Sequence, residues 1–159
     1  MKTPSERTSR ISESIVGIVW SIGTLIFFNF FSDYIAYYHD GIREPLITAE
    51  FGKWLWIHNP MLVLLLIRYS ISLAFERYVF RESTLIFLSL LGVASTAVLL
   101  SLFPFDFSIL PSTDAAKWWE LGLRIALIAT IIMFSIDALV RVIKTVRTQR
   151  AVSRITKSF

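Results

Sequence analysis

The sequence predicts an all-α integral membrane protein, a bundle of four transmembrane helices with both chain ends in the cytoplasm. Four long apolar runs fill most of its 159 residues. Hydrophobic residues make up 55% of the chain, charged residues only 18%, and the mean hydropathy is +0.62. Ordinary soluble domains contain about a quarter charged residues. This composition therefore indicates one membrane domain, and the absence of cysteine excludes disulfides and thiolate metal sites.

The first two predicted spans are residues 14–36 and 56–76. The first opens with a charge-free stretch of 19 residues, which as a helix reaches about 28 Å, close to the hydrocarbon thickness of a bilayer. The second contains a single charge, Arg68. Backbone amides find no water in lipid, so runs this long without polar alternation are predicted to be helices.

The third and fourth predicted spans are residues 83–105 and 118–140. The third is free of charge, whereas the fourth has Arg124 near one end and Asp137 near the other. The connection between the second and third spans is short, so these two helices are expected to form an antiparallel hairpin.

The basic residues predict the orientation. Eleven lysines and arginines lie on the side that carries both chain ends, against three on the other side. Cytoplasmic loops carry an excess of basic residues, so we expect both termini on the cytoplasmic side of a bacterial inner membrane.

The first outer loop, residues 37–55, is predicted to contain a short amphipathic helix that lies in the membrane interface. It would cover residues 46–56. The following Asn59-Pro60 resembles a helix start, with Asn59 as the cap and Pro60 in the first turn. Tryptophan is enriched at headgroup depth, which makes four residues expected interfacial anchors: Trp54, Trp56, Trp118 and Trp119.

Three polar residues inside the spans are candidates for a polar site: Arg68, Asp137 and Asn29. A buried arginine is costly in a membrane, so Arg68 is expected to face other helices or a watery cavity. One interpretation is structural, with Arg68 either snorkelling toward the inner membrane interface or pairing with Asp137, and so fixing the helix packing. The other is functional, with Arg68 binding an anionic substrate or headgroup. Glu120–Arg124 and Asp137–Arg141 are expected to be structural ion pairs at i,i+4.

The tail, residues 141–159, is expected to continue the fourth helix into the cytoplasm. Its six bases favour contact with anionic lipid of the cytoplasmic leaflet, and an acidic protein partner is the alternative. These lipid-contact candidates are Arg141, Lys144, Arg147, Arg150, Arg154 and Lys157. The tail has no nucleic-acid-binding motif.

No catalytic or cofactor motif accompanies these spans. His39 and His58 lie near outer carboxylates, but their spacing matches no metal signature, so neither a metal nor a cofactor is predicted. We expect a non-enzymatic accessory or regulatory subunit that binds lipid, a membrane-protein partner or a second copy. A small transporter or channel subunit with a polar site at Arg68 is the alternative, and a lipid-modifying enzyme is a third possibility.

Parts of residues 13–84 resemble the membrane half of bacterial proteins that carry the HAAS signalling domain. The resemblance is carried by residues 13–20, 26–31 and 45–48, and by Glu76-Arg77-Tyr78 after the second span. The soluble helical domain of that family has no counterpart in this sequence. The resemblance implies a membrane regulator and no particular reaction.

Overall fold

The computed structural model describes the backbone of residues 4–74 and 78–156, and the side chains of residues 11–73 and 83–148. Its elements in chain order are α1 (Pro4–Phe30), β1 (Ala36–His39), β2 (Ile42–Pro45), α2 (Phe51–Ala74), α3 (Tyr78–Leu102) and α4 (Thr113–Thr156). A single 3₁₀ turn, Ser32–Tyr34, follows α1.

All four helices are long and apolar enough to cross a membrane, as the sequence predicts. The stretches that meet this description are Ile11–Phe30, Phe51–Leu73, Ser83–Leu102 and Thr113–Thr148. Helix α4 has 44 residues and is therefore about 66 Å long, roughly twice the hydrocarbon thickness of a bilayer. The prediction that the tail continues the fourth helix is confirmed as far as Thr156.

Each helix packs mainly on its neighbour in the chain. Helix α1 packs on α2, α2 on α3, and α3 on α4, whereas α1 and α4 have little contact within the described residues. Glycines permit the close approaches. The face of α1 at Gly17 meets the Tyr69 ring, and the face of α3 at Gly92 meets Phe134. The helices therefore form an open row, with α1 and α4 on its flanks.

Most large apolar side chains point away from the helix contacts, while several polar ones are buried within them. Trp20, Phe30 and Met133 are 72%, 74% and 61% exposed, whereas Ser21, Ser95 and Arg68 are 1%, 2% and 5% exposed. A soluble protein has the opposite distribution, so this surface is suited to lipid.

The first part of the first outer loop folds as a β-hairpin, which the sequence reasoning did not predict. Strands β1 and β2 pair in antiparallel register, with His39 opposite Ile42. The two-residue turn between them is Asp40-Gly41, whose φ angles are +48° and +77°. Turns of this kind need positive φ at both positions, which glycine and aspartate tolerate, and their twist matches that of the strands.

The prediction that α2 begins near Asn59-Pro60 is also wrong. Helix α2 begins at Phe51, and Pro60 lies inside it. The predicted interfacial helix, residues 46–56, is therefore not formed as a separate helix: residues 51–56 begin the second spanning helix, and residues 46–50 precede it without helical structure. Packing of the aromatic face at the start of α2 against α1 and α3 favours this arrangement over a separate surface helix.

The hairpin is joined to the α3–α4 connection by backbone hydrogen bonds. The amide of Thr48 donates to the Pro104 carbonyl at 3.0 Å, and the amide of Asp106 donates to the Leu46 carbonyl at 2.8 Å. Ile47 and Phe105 form the antiparallel bridge between these bonds. We call this end of the molecule the hairpin end, and the opposite end, where α1 begins and α4 finishes, the tail end.

Candidate functional site

A cluster of aromatic and polar side chains joins α1, α2 and α3 near the hairpin end. The Trp54 indole N–H donates to Ser95, lying 3.0 Å from its carbonyl oxygen and 3.1 Å from its hydroxyl oxygen. The His58 ring stacks on Trp54 with centroids 4.1 Å apart, and Phe28 contacts both rings edge-on. We call this group the His58 cluster. It fastens the start of α2 to the end of α3.

The His58 imidazole is held through one of its two nitrogens. Nδ1 lies 3.2 Å from the Ser95 hydroxyl oxygen, whereas Nε2 is buried with no hydrogen-bond partner among the described residues. Depending on the tautomer, Nε2 is either a donor or an acceptor. This ring is therefore a polar group within the spanning part of α2. The sequence had placed His58 just before the predicted helix cap Asn59, outside the helix.

Asn29 and Asn59 form a reciprocal amide pair beside the His58 cluster. Asn29 Nδ2 donates to Asn59 Oδ1 at 3.0 Å, and Asn59 Nδ2 donates back to Asn29 Oδ1 at 2.8 Å. Asn29 Nδ2 also lies 2.8 Å from the Leu25 carbonyl oxygen. Asn29 was a polar-site candidate from the sequence, whereas Asn59 was predicted to cap a helix. The pair instead links α1 to α2.

Arg68 lies on α2 toward the tail end and is buried, as the sequence predicts for an arginine within a span. Its guanidinium carbon lies 4.3 Å from the centroid of the Tyr69 ring, which itself packs on Gly17 of α1. A cation over an aromatic face is attracted by the ring quadrupole. Tyr69 thus connects the arginine to the α1–α2 contact.

The expected pair between Arg68 and Asp137 is not formed. Asp137 Oδ2 accepts hydrogen bonds from the Ser89 hydroxyl at 2.7 Å and from Arg141 Nε at 2.8 Å. Asp137 therefore joins α3 to α4 instead of α2 to α4. Arg141 lies one turn along the same helix, so it reaches the carboxylate without the helices having to approach more closely.

The predicted ion pairs on α4 are both present. Arg124 Nη2 lies 2.9 Å from Glu120 Oε1, and the Arg124 guanidinium carbon lies 3.8 Å from the centroid of the Phe103 ring. The second pair is Asp137–Arg141. Both join residues one turn apart on the helix.

An apolar groove of about 670 Å³ lies between the hairpin end and α4. Its connection side is lined by Ile35, Ala36, Tyr37, Leu46, Phe105, Phe107 and Leu110. Its helix side is lined by Trp119, Gly122, Leu123 and Ala126. Sequence reasoning missed this groove because its connection side combines residues 35–46 with residues 105–110, which are distant in the chain and are brought together by the hairpin-end hydrogen bonds.

The predicted interfacial tryptophans divide into two groups. Trp54 is buried in the His58 cluster, at 4% exposure, so its prediction as an interfacial anchor is wrong. Trp56, Trp118 and Trp119 are exposed at the hairpin ends of α2 and α4. Only these three have the position that an anchor requires.

The basic tail candidates lie along the tail end of α4. Lys144 and Arg147 are exposed, while Arg141 is engaged with Asp137. The side chains of Arg150, Arg154 and Lys157 lie outside the described residues.

The described part of the chain contains no group of three or more metal-binding side chains. His39 lies at the hairpin turn, where its Nε2 is 3.1 Å from Asp40 Oδ2, whereas His58 is held in the His58 cluster. The two histidines therefore belong to different sites.

Outside the spans, the Asp106 carboxylate accepts a hydrogen bond from the Ser108 amide at 2.9 Å. Hydrogen bonding from the Ser108 side chain and amide lowers the pKa of Asp106 below its ordinary value. This carboxylate is therefore ionised at neutral pH and stabilises the turn after the hairpin-end bridge.

Comparisons of the chain with protein-family profiles, with curated proteins and with solved structures gave no match.

Proposed function

We propose that this protein is a non-enzymatic accessory or regulatory subunit of the bacterial cytoplasmic membrane, with the tail end in the cytoplasm. The excess of basic residues at the tail end supports this orientation. The resemblance to the membrane half of HAAS-domain proteins agrees with a regulatory role, and the exposed bases of the tail suit anionic lipid.

The observation that carries the proposal is the open, apolar face of α1. This flanking helix packs mainly on α2, and its other side exposes Val16, Val19, Trp20 and Phe30, which are 64%, 64%, 72% and 74% exposed. A groove of about 640 Å³ runs along this side and passes over Gly23, where an added Cβ would meet nothing within 4 Å. Small residues between bulky ones are typical of surfaces on which membrane helices pack.

We propose that a spanning helix of a partner chain packs in this α1 groove. A packed helix gains dispersion energy from a complementary concave surface. A second copy of the chain and an unrelated protein are both possible partners, and the experiment below separates them.

The test is site-specific photo-crosslinking in cells. A benzoyl-phenylalanine at Val19 is expected to form an adduct with a protein, and the same group at Ile128 on α4 is the control for random encounters. Co-expression of two differently tagged copies distinguishes a homodimer from another partner. Gly23→Trp, which fills the groove without a backbone clash, should abolish the adduct. Adducts with lipid only at Val19 would refute the proposal.

The second candidate, a transporter or channel subunit, is favoured by the burial of Arg68 within α2. Ionisable residues inside spans often bind substrates or ions. Its test is chloride efflux from vesicles that contain the purified protein. Arg68→Gln should abolish the efflux, while Lys53→Gln, which removes an exposed base from the same helix, should not. Wild-type vesicles that release no chloride would contradict this candidate for chloride.

A further inference from the structure

The groove between the hairpin end and α4 differs in shape and position from the α1 groove. We propose that it holds one acyl chain of a phospholipid from the leaflet that surrounds the hairpin end. This inference rests on the membrane placement given under the proposed function. It concerns a different surface and a different ligand, so it can fail while the protein partner at α1 stands.

The groove has the dimensions of a ligand site. Its helix side runs from Trp119 to Ala126, which corresponds to about 10 Å along the helix axis. Gly122 and Ala126 lie one turn apart and line the groove with small residues, and Trp119 lines it next to them. Phe105 and Phe107 close the other side. A volume of about 670 Å³ lies within the range of small-molecule pockets in proteins, roughly 300–1,000 Å³.

The chemistry of the lining excludes a charged ligand. None of the lining side chains carries a charge, and only Tyr37 and Trp119 have a polar atom. Arg124, on the same helix, is paired with Glu120 at 2.9 Å, so it brings no net charge to the region. A charged group placed here would lose its hydration without compensation, whereas a hydrocarbon chain gains free energy by burial.

The groove continues into the lipid-facing side of α4. Below Ala126, the residues that follow at helical spacing are Met133, Ile136 and Val140, which are 61%, 56% and 56% exposed. In a bilayer this stripe borders acyl chains. A chain lying along the stripe enters the groove end-on, so a phospholipid reaches it without any opening of the protein.

The experiment is photolabelling in vesicles of phosphatidylcholine that contain a fraction of phosphatidylcholine with a diazirine on one acyl chain. Labelled residues are identified by mass spectrometry after irradiation of the vesicles, and after irradiation of protein diluted from them into detergent that contains no probe. Labelling of the groove residues should survive the dilution, because the groove retains its chain. Labelling at Met133 should be lost on dilution, as expected for bulk lipid.

Gly122→Phe is the decisive variant. An added Cβ at Gly122 meets nothing within 4 Å, so the ring fills the groove without displacing backbone. Exclusion of even two methylene groups should lower the affinity of the groove for the chain roughly tenfold, with Met133 labelling unchanged. Gly52→Phe is the matched control, because Gly52 has the same free space but lies outside the groove.

Three results would overturn the proposal. The first is groove labelling that is lost on dilution like that of Met133, and the second is groove labelling that persists in Gly122→Phe. The third comes from a separate arm: a benzoyl-phenylalanine at Leu123 that forms adducts in cells with a protein and none with lipid would make the groove a protein-binding surface. Crosslinking from Val19 is read separately, so loss of the lipid site and loss of the α1 partner are distinguishable.

Discussion

Several side-chain hydroxyls within the helices form hydrogen bonds inside the protein. Ser21, Thr96 and Thr130 each donate to the backbone carbonyl four residues earlier, at 2.7 to 2.8 Å. Ser89 instead donates to Asp137 on the next helix. Lipid offers no hydrogen-bond partner, so an unsatisfied hydroxyl there would be costly. This pattern supports assignment of these residues to spanning helices.

At Gly17 the approach of α1 to α2 depends on the missing side chain. A Cβ built there would overlap the Tyr69 ring. Gly17→Leu should therefore destabilise the protein by about 1–3 kcal/mol, the usual cost of overpacking. Gly23→Leu, on the same helix but with open space around its Cβ, is the control. Thermal unfolding in detergent measures both, and equal midpoints would contradict the α1–α2 contact.

The Asn29–Asn59 pair should contribute a measurable coupling between α1 and α2. Replacing either residue by alanine breaks both amide bonds of the pair. In a double-mutant cycle, we expect a coupling free energy of about 0.6–1.7 kcal/mol, the range measured for polar pairs between membrane helices. Unfolding in mixed micelles provides the four free energies. Strictly additive single effects would mean that the two amides do not interact.

At the scale of elements, the α1–α2 connection, which contains the hairpin, and the α3–α4 connection form one unit at the hairpin end. The hairpin itself stays close to α1 through the 3₁₀ turn, where the Arg43 guanidinium donates to the Asp33 carbonyl at 2.7 Å. The bridge at Ile47 then ties the start of α2 to the end of α3. These bonds hold one side of the acyl-chain groove in place.

This bridge predicts that an engineered disulfide will form between residues 47 and 105. Opposed residues of antiparallel segments have Cα atoms about 4.5–5.5 Å apart, within the range that disulfides span. The protein has no cysteine of its own, so Ile47→Cys with Phe105→Cys introduces one possible pair. Mild oxidation should give an internal disulfide in high yield, seen as faster migration in non-reducing gels. The single variants are the controls, and a pair that oxidises only to intermolecular dimers would contradict the bridge.

The positions of the elements were predictable from the sequence to different degrees. The apolar runs predicted four spanning helices because length and composition alone decide that property. The hairpin also had a local signal, Asp40-Gly41 between two short β-prone runs, but both residues were predicted only as part of the first outer loop, residues 37–55. That signal was sufficient and was overlooked.

The His58 cluster and the helix boundary at Phe51 had no comparable local signal. Asn59-Pro60 is an ordinary helix start by local preference, and Pro60 normally disfavours a helix interior. Contacts of Trp54 with Phe28 and Ser95 override that preference, and those partners are 26 or more residues away in the chain. Asp137 likewise took Ser89 as its partner because α3, not α2, is its neighbour.

On the scale of the whole molecule, the row of helices separates two surfaces for which we propose different roles. The α1 side carries the proposed protein-binding groove, and the α4 side carries the proposed acyl-chain groove. Because α1 and α4 lie on opposite flanks of the row, each site can be occupied without blocking the other. A regulatory subunit of this design could bind its partner while a lipid occupies the second groove.

The proposed orientation makes a direct prediction about accessibility. If the tail end is cytoplasmic, single cysteines at Asp40 in the hairpin turn and Ser108 in the α3–α4 connection should react with a membrane-impermeant maleimide in spheroplasts. A cysteine at Thr148, near the tail end of α4, should react only after permeabilisation. Each label is unambiguous because the natural sequence lacks cysteine. The excess of basic residues that the sequence predicts for the tail side favours this orientation through the positive-inside bias. Labelling of Thr148→Cys in intact spheroplasts, with Asp40→Cys protected, would show the opposite topology. Such a reversal would also move the acyl-chain groove to the cytoplasmic leaflet, since the groove is fixed to the hairpin end.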